Sequence, residues 1–483
     1  MTTTKMSYFM RPLALLVWAV VAASVMMVVL ASPAQANTIT VNSLADDADG
    51  TDGECTLREA ITSANTDASS GTATGECTAG SGDDVIEVGV MGTVNLTRVL
   101  PPLSSTIEIE GPGSAQFTVR RNTGGDYRIF RVGSGAEVSL SGMTMTNGKT
   151  DDAGGIMNRG TLTVTDSTVS ANSAQFTGGG IFNDQGTLTV TGSTISDNSS
   201  LHGAGGGGIF NHLGTLTITG STISDNSSVS LAGGGVYNNG DVGSERRTTI
   251  TTSTISDNSA SFAGGGVYNS RGPLTVSSST ISGNTAADQG GGVYNLFGLT
   301  VIEFSTITNN TAPSGRGSGV ESSDRVTRTK VLSSIISANT NTDVDFVGSN
   351  TNTFVPKGYN LIGDGNATGA FNQTGDQTGV SDPKLDPLGS YGGPTQTHRL
   401  QTDSPALDAG PPTDGDPIAC PPPATDQRGV KRPQGESCDS GAFELVQQPP
   451  KPTTKEECKK GGYKEFGFKN QGQCIKAVKN QTP

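Results

Sequence analysis

Residues 178–198 read GGGIFNDQGTLTVTGSTISDN, and the same sentence returns from Gly206 as GGGIFNHLGTLTITGSTISDN. Shorter echoes begin at Gly233, Gly264 and Gly290, each opening on GGGVYN and closing on STISDN, STISGN or STITNN. Taking the first aliphatic residue as marker, the copies fall at Ile156, Ile181, Ile209, Val236, Val267, Val293 and Val320, about 25 to 31 residues apart. A period in that range belongs to solenoids and arrays. Each copy holds three β-rich runs separated by Gly, Asn, Asp or Ser corners, and none has the length or the 3.6-residue apolar period of a helix. Like strands of successive copies can then meet only by stacking in parallel and in register, about 4.8 Å apart. The expected fold is all-β: a parallel β-helix with three strands per turn. A propeller blade needs about 40 residues per copy, and a leucine-rich repeat needs a Leu ladder that is absent here.

A solenoid grows by adding coils, so the 483 residues need not divide into several globular domains. Hydrophobic residues make up only 33%, but the 67 glycines replace bulk rather than charge, and charged residues stay at 16%. That is a thin ordered core, not a disordered chain. The net charge is -14, with Lys5 and Arg11 but no acid in 1–36, and eight Lys against three Glu in 449–483. The body between carries about -21, which argues against a nucleic-acid partner. Divalent cations for the body and a negatively charged envelope for the basic tail fit better.

Lys5 and Arg11 precede an apolar run over 13–31 and then Ala34-Gln35-Ala36, the pattern of a secretory signal over 1–36 cleaved after Ala36. The run is long, so an uncleaved membrane anchor is the alternative; after cleavage no membrane span remains. The six cysteines pair by neighbourhood as Cys55 with Cys77, Cys420 with Cys438 and Cys458 with Cys474, one of the 15 possible connectivities. An oxidising, extracellular or cell-surface location follows. In the N-terminal segment 37–82, Thr56 and Glu59 make a capping box, and Leu57, Ala60, Ile61 and Ala64 share one face. A helix of about nine residues is marginal alone, so it should lie on the open first coil. Coils are expected over 83–345, about ten to twelve in all, as a rod of about 50 to 60 Å. A C-terminal cap over 346–446 should close the far end. A Pro-rich linker (447–457) leads to a small basic module (458–483) with Tyr463, Phe466 and Phe468, too short to fold without its disulfide.

The run Cys55-Thr-Leu-Arg-Glu-Ala-Ile61, with TITVNSLADD before it, resembles the CSLREA segment that opens many secreted bacterial β-helix proteins, with Thr56 in place of the family's Ser. The Gly-Gly-Gly-aliphatic-aromatic-Asn repeats resemble those of polymorphic outer-membrane proteins. Residues 358–445, with GYNLIGDG, DPLGSYGGPTQTHRL, SPALDAG, DQRG and SGAFEL, are similar to the choice-of-anchor Q domain. The resemblance implies a right-handed, pectate-lyase-like β-helix on a secreted or surface protein, and no defined activity.

Two polar rows stand out. Asn172, Asn198, Asn226, Asn258, Asn284, Asn310 and Asn339 end the third runs, while Asn158, Asn183, Asn211, Asn238, Asn269 and Asn295 end the first. Stacked amides can bridge donor to acceptor, so both rows read as structural ladders. Asp197, Asp225 and Asp257 read as solvated corners, with calcium binding or a carboxylate pair as the other readings. Phe182, Phe210, Tyr237, Tyr268 and Tyr294 follow the marker aliphatic. With the aliphatics inward, strand alternation sends the rings outward, as a stripe for sugar rings or as rings stacked on one another and covered by loops. Asp47, Asp49, Asp52 and Glu54 have calcium-like oxygen density without EF-hand spacing. His202, His212 and His398, the only histidines, read as solvent-exposed. No catalytic residue and no obligatory cofactor emerges.

The reading these features support is a secreted, monomeric, non-enzymatic β-helix that presents a long surface for adhesion or for polysaccharide and envelope contact. The rivals are a polysaccharide lyase or hydrolase, permitted by the fold alone, and a passive spacer. Residues 154–310 hold no Lys, and Arg159, Arg246, Arg247 and Arg271 form no cluster with paired acids, whereas a lyase wants such a base beside calcium carboxylates.

Overall fold

The computed structural model describes residues 37–203, 205–241, 243–313, 315–323, 327–347, 354–412, 420, 423–446, 454–459, 462–464 and 469–479. The signal-peptide reading, Phe466 and Phe468 lie outside these residues. The strand pairs of the coils are parallel and, save for one shift between Ala174 and Thr177, in register, Ile181 on Ile209 on Val236 and Leu188 on Leu216, as sequence identity between copies requires. The chain is a parallel β-helix.

The stacked strands form sheets of 12, 9, 11 and 6 strands. The copy from Ile181 shows why: Ile181–Asp184 belongs to the nine-stranded sheet, Thr187–Thr191 to the twelve-stranded one and Thr194–Ser196 to the eleven-stranded one. The fourth sheet corrects the expectation of three strands per turn. It consists of short pieces such as Ser199–Ser200 and Ser227–Ser228 just beyond the Asn corner. They carry no run of β-branched residues and pair only because the same corner holds them side by side in consecutive coils.

Four apolar columns fill the interior: Ile181, Ile209 and Val236 from one sheet, Leu188 with Leu216 and Val190 with Ile218 from the next, and Ile195, Ile223 and Ile255 from the third, all fully buried. At roughly 25 cal/mol per Å2 of apolar surface, this single continuous core is the main stabilising contribution. The helix Leu57–Thr66 has the expected capping box and buries Leu57, Ala60, Ile61 and Ala64. It packs on Thr38–Val41 and Asp84–Val88, the first strands of the long sheet. Arg58 anchors it through a buried ion pair to Asp46 at 2.6 Å and a hydrogen bond to the Val99 carbonyl at 2.6 Å. Cys55–Cys77, Cys420–Cys438 and Cys458–Cys474 form the three disulfides.

The far end departs from expectation in two ways. The coils run past 345, since Phe354–Pro356 and Leu361–Ile362 add further strands to two of the sheets. The segment that follows does more than cap the rod. It folds back along its flank and covers the outer face of the eleven-stranded sheet from Thr254–Ser256 onward. Thr280 Oγ1 meets Thr397 Oγ1 at 2.8 Å and Gln427 Oε1 at 2.6 Å, Thr306 Oγ1 accepts from the Ala442 amide at 3.0 Å, and the Gly441 amide donates to the Ser333 carbonyl at 2.8 Å. Ile335, Leu361, Leu400, Ala406 and Phe443 form a second small core there. Arg432, fully buried, pairs with Glu444 at 2.9 Å and lies 4.8 Å from the centroid of the buried Phe304 ring. Among the described residues no helix is long and apolar enough to cross a membrane.

Candidate functional site

The aromatic column exists, but it is closed. Phe182, Phe210, Tyr237, Tyr268 and Tyr294 point out of the coil interior and stack on one another with centroid separations of 5.1, 4.9, 4.7 and 5.2 Å. Exposure is 9% for Phe182, 3% for Phe210, 6% for Tyr268 and 4% for Tyr294, and Tyr237 is half-buried. Ala153 and Met157 pack with Phe182 and Phe210, and Ala232, Ala263 and Leu296 with Tyr268 and Tyr294, while the first glycine of each triplet holds the backbone close. Gly206, in the left-handed region at φ 70, passes so close that a Cβ there would sit 2.7 Å from Phe210 Cβ, and Gly233 does the same over Tyr237. Burial pushes the phenol of Tyr268 up, assisted by Tyr237 and Tyr294 beside it. A sugar ring cannot stack on faces already occupied by neighbouring rings and backbone, so the exposed stripe is corrected to a secondary core. The column continues into two acids, Glu321 and then Asp345. Glu321 is fully buried and neither oxygen makes a well-formed hydrogen bond. Desolvation, with Asp345 adding to it, raises its pKa to about 8, against the easing effect of Arg316 and the Gly290 amide.

The asparagine rows do form ladders. From Asn172 to Asn339 each Nδ2 donates to Oδ1 of the next coil's Asn at 2.9 or 3.0 Å, and the same oxygen accepts the backbone N–H. The ladder ends on Asp343, whose Oδ1 accepts from Asn339 Nδ2 and its N–H at 2.8 Å. The second row runs Asn158, Asn183, Asn211, Asn238, Asn269, Asn295 with donor–acceptor distances of 2.7 to 3.0 Å. A third ladder escaped the sequence reading: the amides of Ser167, Ser193, Ser221, Ser253, Ser279 and Ser305 each donate to the next coil's serine hydroxyl at 3.1 to 3.3 Å. Its signal was available, because a serine stands five residues before every ladder Asn from Asn172 to Asn339. These buried groups are consumed by the architecture.

The acidic loop turns its carboxylates to separate local partners. Asp49 Oδ1 accepts from Thr51 Oγ1 at 2.6 Å, Asp52 Oδ1 accepts from the Glu54 amide at 2.8 Å, and Glu54 accepts from the Ser43 hydroxyl. Burial, then the charges of Asp52, Glu54 and Asp49, raise the Asp47 pKa. Among the described residues no three His, Cys, Asp or Glu side chains converge as a metal site. Asp197, Asp225 and Asp257 are left-handed corners at φ 57, exposed to solvent. His398 corrects the expectation of an exposed histidine. It is buried, with Nδ1 donating to the Asp386 carbonyl at 2.8 Å. A carbonyl only accepts, so Nδ1 carries the proton and Nε2 accepts from the Ser282 hydroxyl at 2.9 Å.

The outer face of the twelve-stranded sheet is open to solvent. Its outward side chains change in charge along the rod, with the half-buried Glu303 an acid among the cations at the far end. At the N-terminal end stand Glu87, Glu108, Glu110 and Glu137. Through the middle run hydroxyls, Ser139 to Thr163 to Thr189 to Thr217 to Thr249 to Thr275 in one column. At the C-terminal end Leu299 is followed by Arg328, and Val301 by Lys330. A cavity of 670 Å3 lies at this basic end, lined by Arg328, Lys357, Phe346, Phe354 and the amides Asn366, Asn372 and Gln373 among others. A second, of 310 Å3, adjoins it and shares Arg328, with Arg247, Arg271, Pro273, Phe297 and Leu299 in its wall. The Arg271 guanidinium lies 6.0 Å from the Phe297 ring centroid. No lining residue of either cavity is Asp or Glu. Among the described residues none of Arg247, Arg271, Arg328 and Lys357 is in an ion pair. By contrast a 320 Å3 groove at the other end is lined by Asp83, Asp84, Glu108 and Glu137. Sequence reasoning saw Arg247 and Arg271 as scattered, since Arg328 and Lys357 join them only through coil stacking.

No family model matches the chain, and no curated protein does. The CSLREA-like, choice-of-anchor-like and outer-membrane-repeat likenesses therefore stand on the quoted motifs alone. Among solved structures the chain is similar to the crystal structure of pectate lyase Pel9A, at a TM-score of 0.50 and 12% identity, covering 85% of this chain and 97% of that one. That likeness shows the parallel β-helix fold.

Proposed function

We propose that the protein is an extracellular, non-enzymatic β-helix that holds a polysaccharide or similar envelope surface along the outer face of its longest sheet. The observation that carries this reading is the pair of adjoining cavities sharing Arg328, where cations, amides and apolar side chains converge at the C-terminal end of the rod. Concave sites of a few hundred Å3 with an apolar floor and a few convergent polar groups are the usual form of a ligand site. The aromatic column, being buried, has no part in it. Three disulfides suit an oxidising compartment outside the cytoplasm.

A glycan array with the purified chain tests the proposal, and retention of no glycan at all would sink it. The lyase reading draws on the structural neighbour, itself a pectate lyase, and on the presence of Arg and Lys in the groove, either of which could serve as a base. Growth of absorbance from an unsaturated product on incubation with pectate would establish it, whereas binding without such growth supports the non-enzymatic reading.

A further inference from the structure

We infer that the groove around Arg328 takes an anionic polysaccharide, carboxylated or sulfated, lying along the rod axis; this rests on the glycan-binding reading above and names its ligand class. The first argument is charge. On a chain of net charge -14, the two cavities gather four cations and no lining carboxylate, the nearest acids such as Glu245 and Asp345 standing behind the walls. Arg247, Arg271, Arg328 and Lys357 are all exposed, so their guanidinium and ammonium groups face a ligand and not the core.

Spacing is the second argument. Successive coils rise by about 4.8 Å, close to the advance of one pyranose residue in an extended glycan. Strand order puts Arg328 three coils beyond the strand that follows Arg247, roughly 14 Å along the axis, while Lys357, just past Pro356 and its partner Val331, lies one turn on and to the side of that line. A polymer with an acid group on successive or alternate sugars can therefore follow Arg247, Arg271 and Arg328 along the axis, with Lys357 to one side of its end. Phe297, Leu299 and Phe346 supply an apolar floor for C–H faces, with the Asn366 and Gln373 amides as hydroxyl partners. Charge also sets the limit of the footprint. Towards the N-terminus the face becomes neutral hydroxyl and then acidic at Glu137 and Glu108, which repels an anionic chain and confines it to the basic third.

The test measures binding of the full chain to immobilised polygalacturonate, alginate, dextran sulfate, neutral dextran and duplex DNA, at about 50 and 300 mM salt, around the range where screening sets in. Capture by the acidic glycans, weakening with salt, and no capture by dextran are expected. Preference for dextran sulfate or for the two uronates tells sulfate from carboxylate recognition, and both support the inference. Arg328→Gln should weaken binding roughly tenfold, the loss of one charge-assisted contact, and Lys357→Gln provides a second exposed position should the first fold poorly. Glu108→Gln with Glu137→Gln should leave affinity unchanged or raise it. If dextran binds as well as the uronates and Arg328→Gln changes nothing, the anionic ligand is wrong while glycan binding stands. If no glycan binds, both readings fall. Duplex DNA binding as tightly as the uronates would reduce the groove to an unselective cationic patch and overturn the inference.

Discussion

Thr-Ile-Ser occurs four times at the same place in the repeat, and its environment changes half-way along the rod. At Thr194–Ser196 and Thr222–Ser224 the Thr and Ser flanking the inward Ile are half-exposed, whereas at Thr254–Ser256 and Thr280–Ser282 all three residues are buried. The strands, their register and the ladder beside them are the same. The difference lies outside the coil, in the returning C-terminal segment that covers one half and leaves the other to water. Copies of one sentence thus acquire different energetics from residues more than 100 positions away.

That contrast can be broken or sharpened by substitution, and Arg432 offers the largest effect. Arg432→Met leaves Glu444 buried without its partner, with Asp426 and Asp439 beside it. A loss of about 3–5 kcal/mol is expected. Hydrogen exchange should quicken at Thr254–Ser256 and Thr280–Ser282 and not at Thr194–Ser196; an equal increase in both halves would show that the covering segment is not a separable layer.

The ladder should be blind to the cover. Asn226→Ala, in the bare half, and Asn284→Ala, in the covered half, each strip an amide that bridges its neighbours and leave buried donors unmet. Costs of about 2–3 kcal/mol, equal within error in denaturant unfolding, are expected. Unequal costs would mean that the flank reaches into the core. Thr280→Val removes the hydroxyl that meets Thr397 and Gln427 and should cost about 1–2 kcal/mol, while Thr194→Val should stay within about 0.5 kcal/mol.

Acid and alkali should act on different places. Burial lowers the pKa of His398 below its ordinary value. As pH falls below about 6.5 the unfolded chain takes up a proton that the folded imidazole resists, so stability drops and the covered half loosens first. Glu321 has the opposite sign: its folded pKa of about 8 exceeds the ordinary value of 4.5. Its carboxyl costs nothing at low pH, and the cost grows as pH rises from about 4.5 towards 8. Melting temperatures of Glu321→Gln should exceed those of the parent at pH 8 and match them near pH 4. A gain at both pH values would assign the effect to packing.

Much of the fold was legible because repetition is itself structural information in a solenoid. The helix over Leu57–Thr66 was written in Thr56, Glu59 and four apolar residues, and the disulfide partners lie close in sequence. The serine ladder was equally legible and overlooked, since a hydroxyl at a corner looks like a solvated turn until its next copy lies above it. The burial of the ring column was not decidable from alternation, which says that a ring points away from the interior but not what lies beyond it. Arg328 and Lys357 joined Arg247 and Arg271 only when the coils were stacked.

By itself, then, the sequence determined the columns: identical residues at a fixed period, in strands that can only stack in parallel, must line up because a one-residue slip would turn every apolar side chain to the wrong face. Tertiary structure alone decided which columns meet water. Solvent access depends on whatever packs against the outside of a coil, and here that is small side chains such as Ala232 and Ala263 beside the rings, and a segment returning from the far end of the chain.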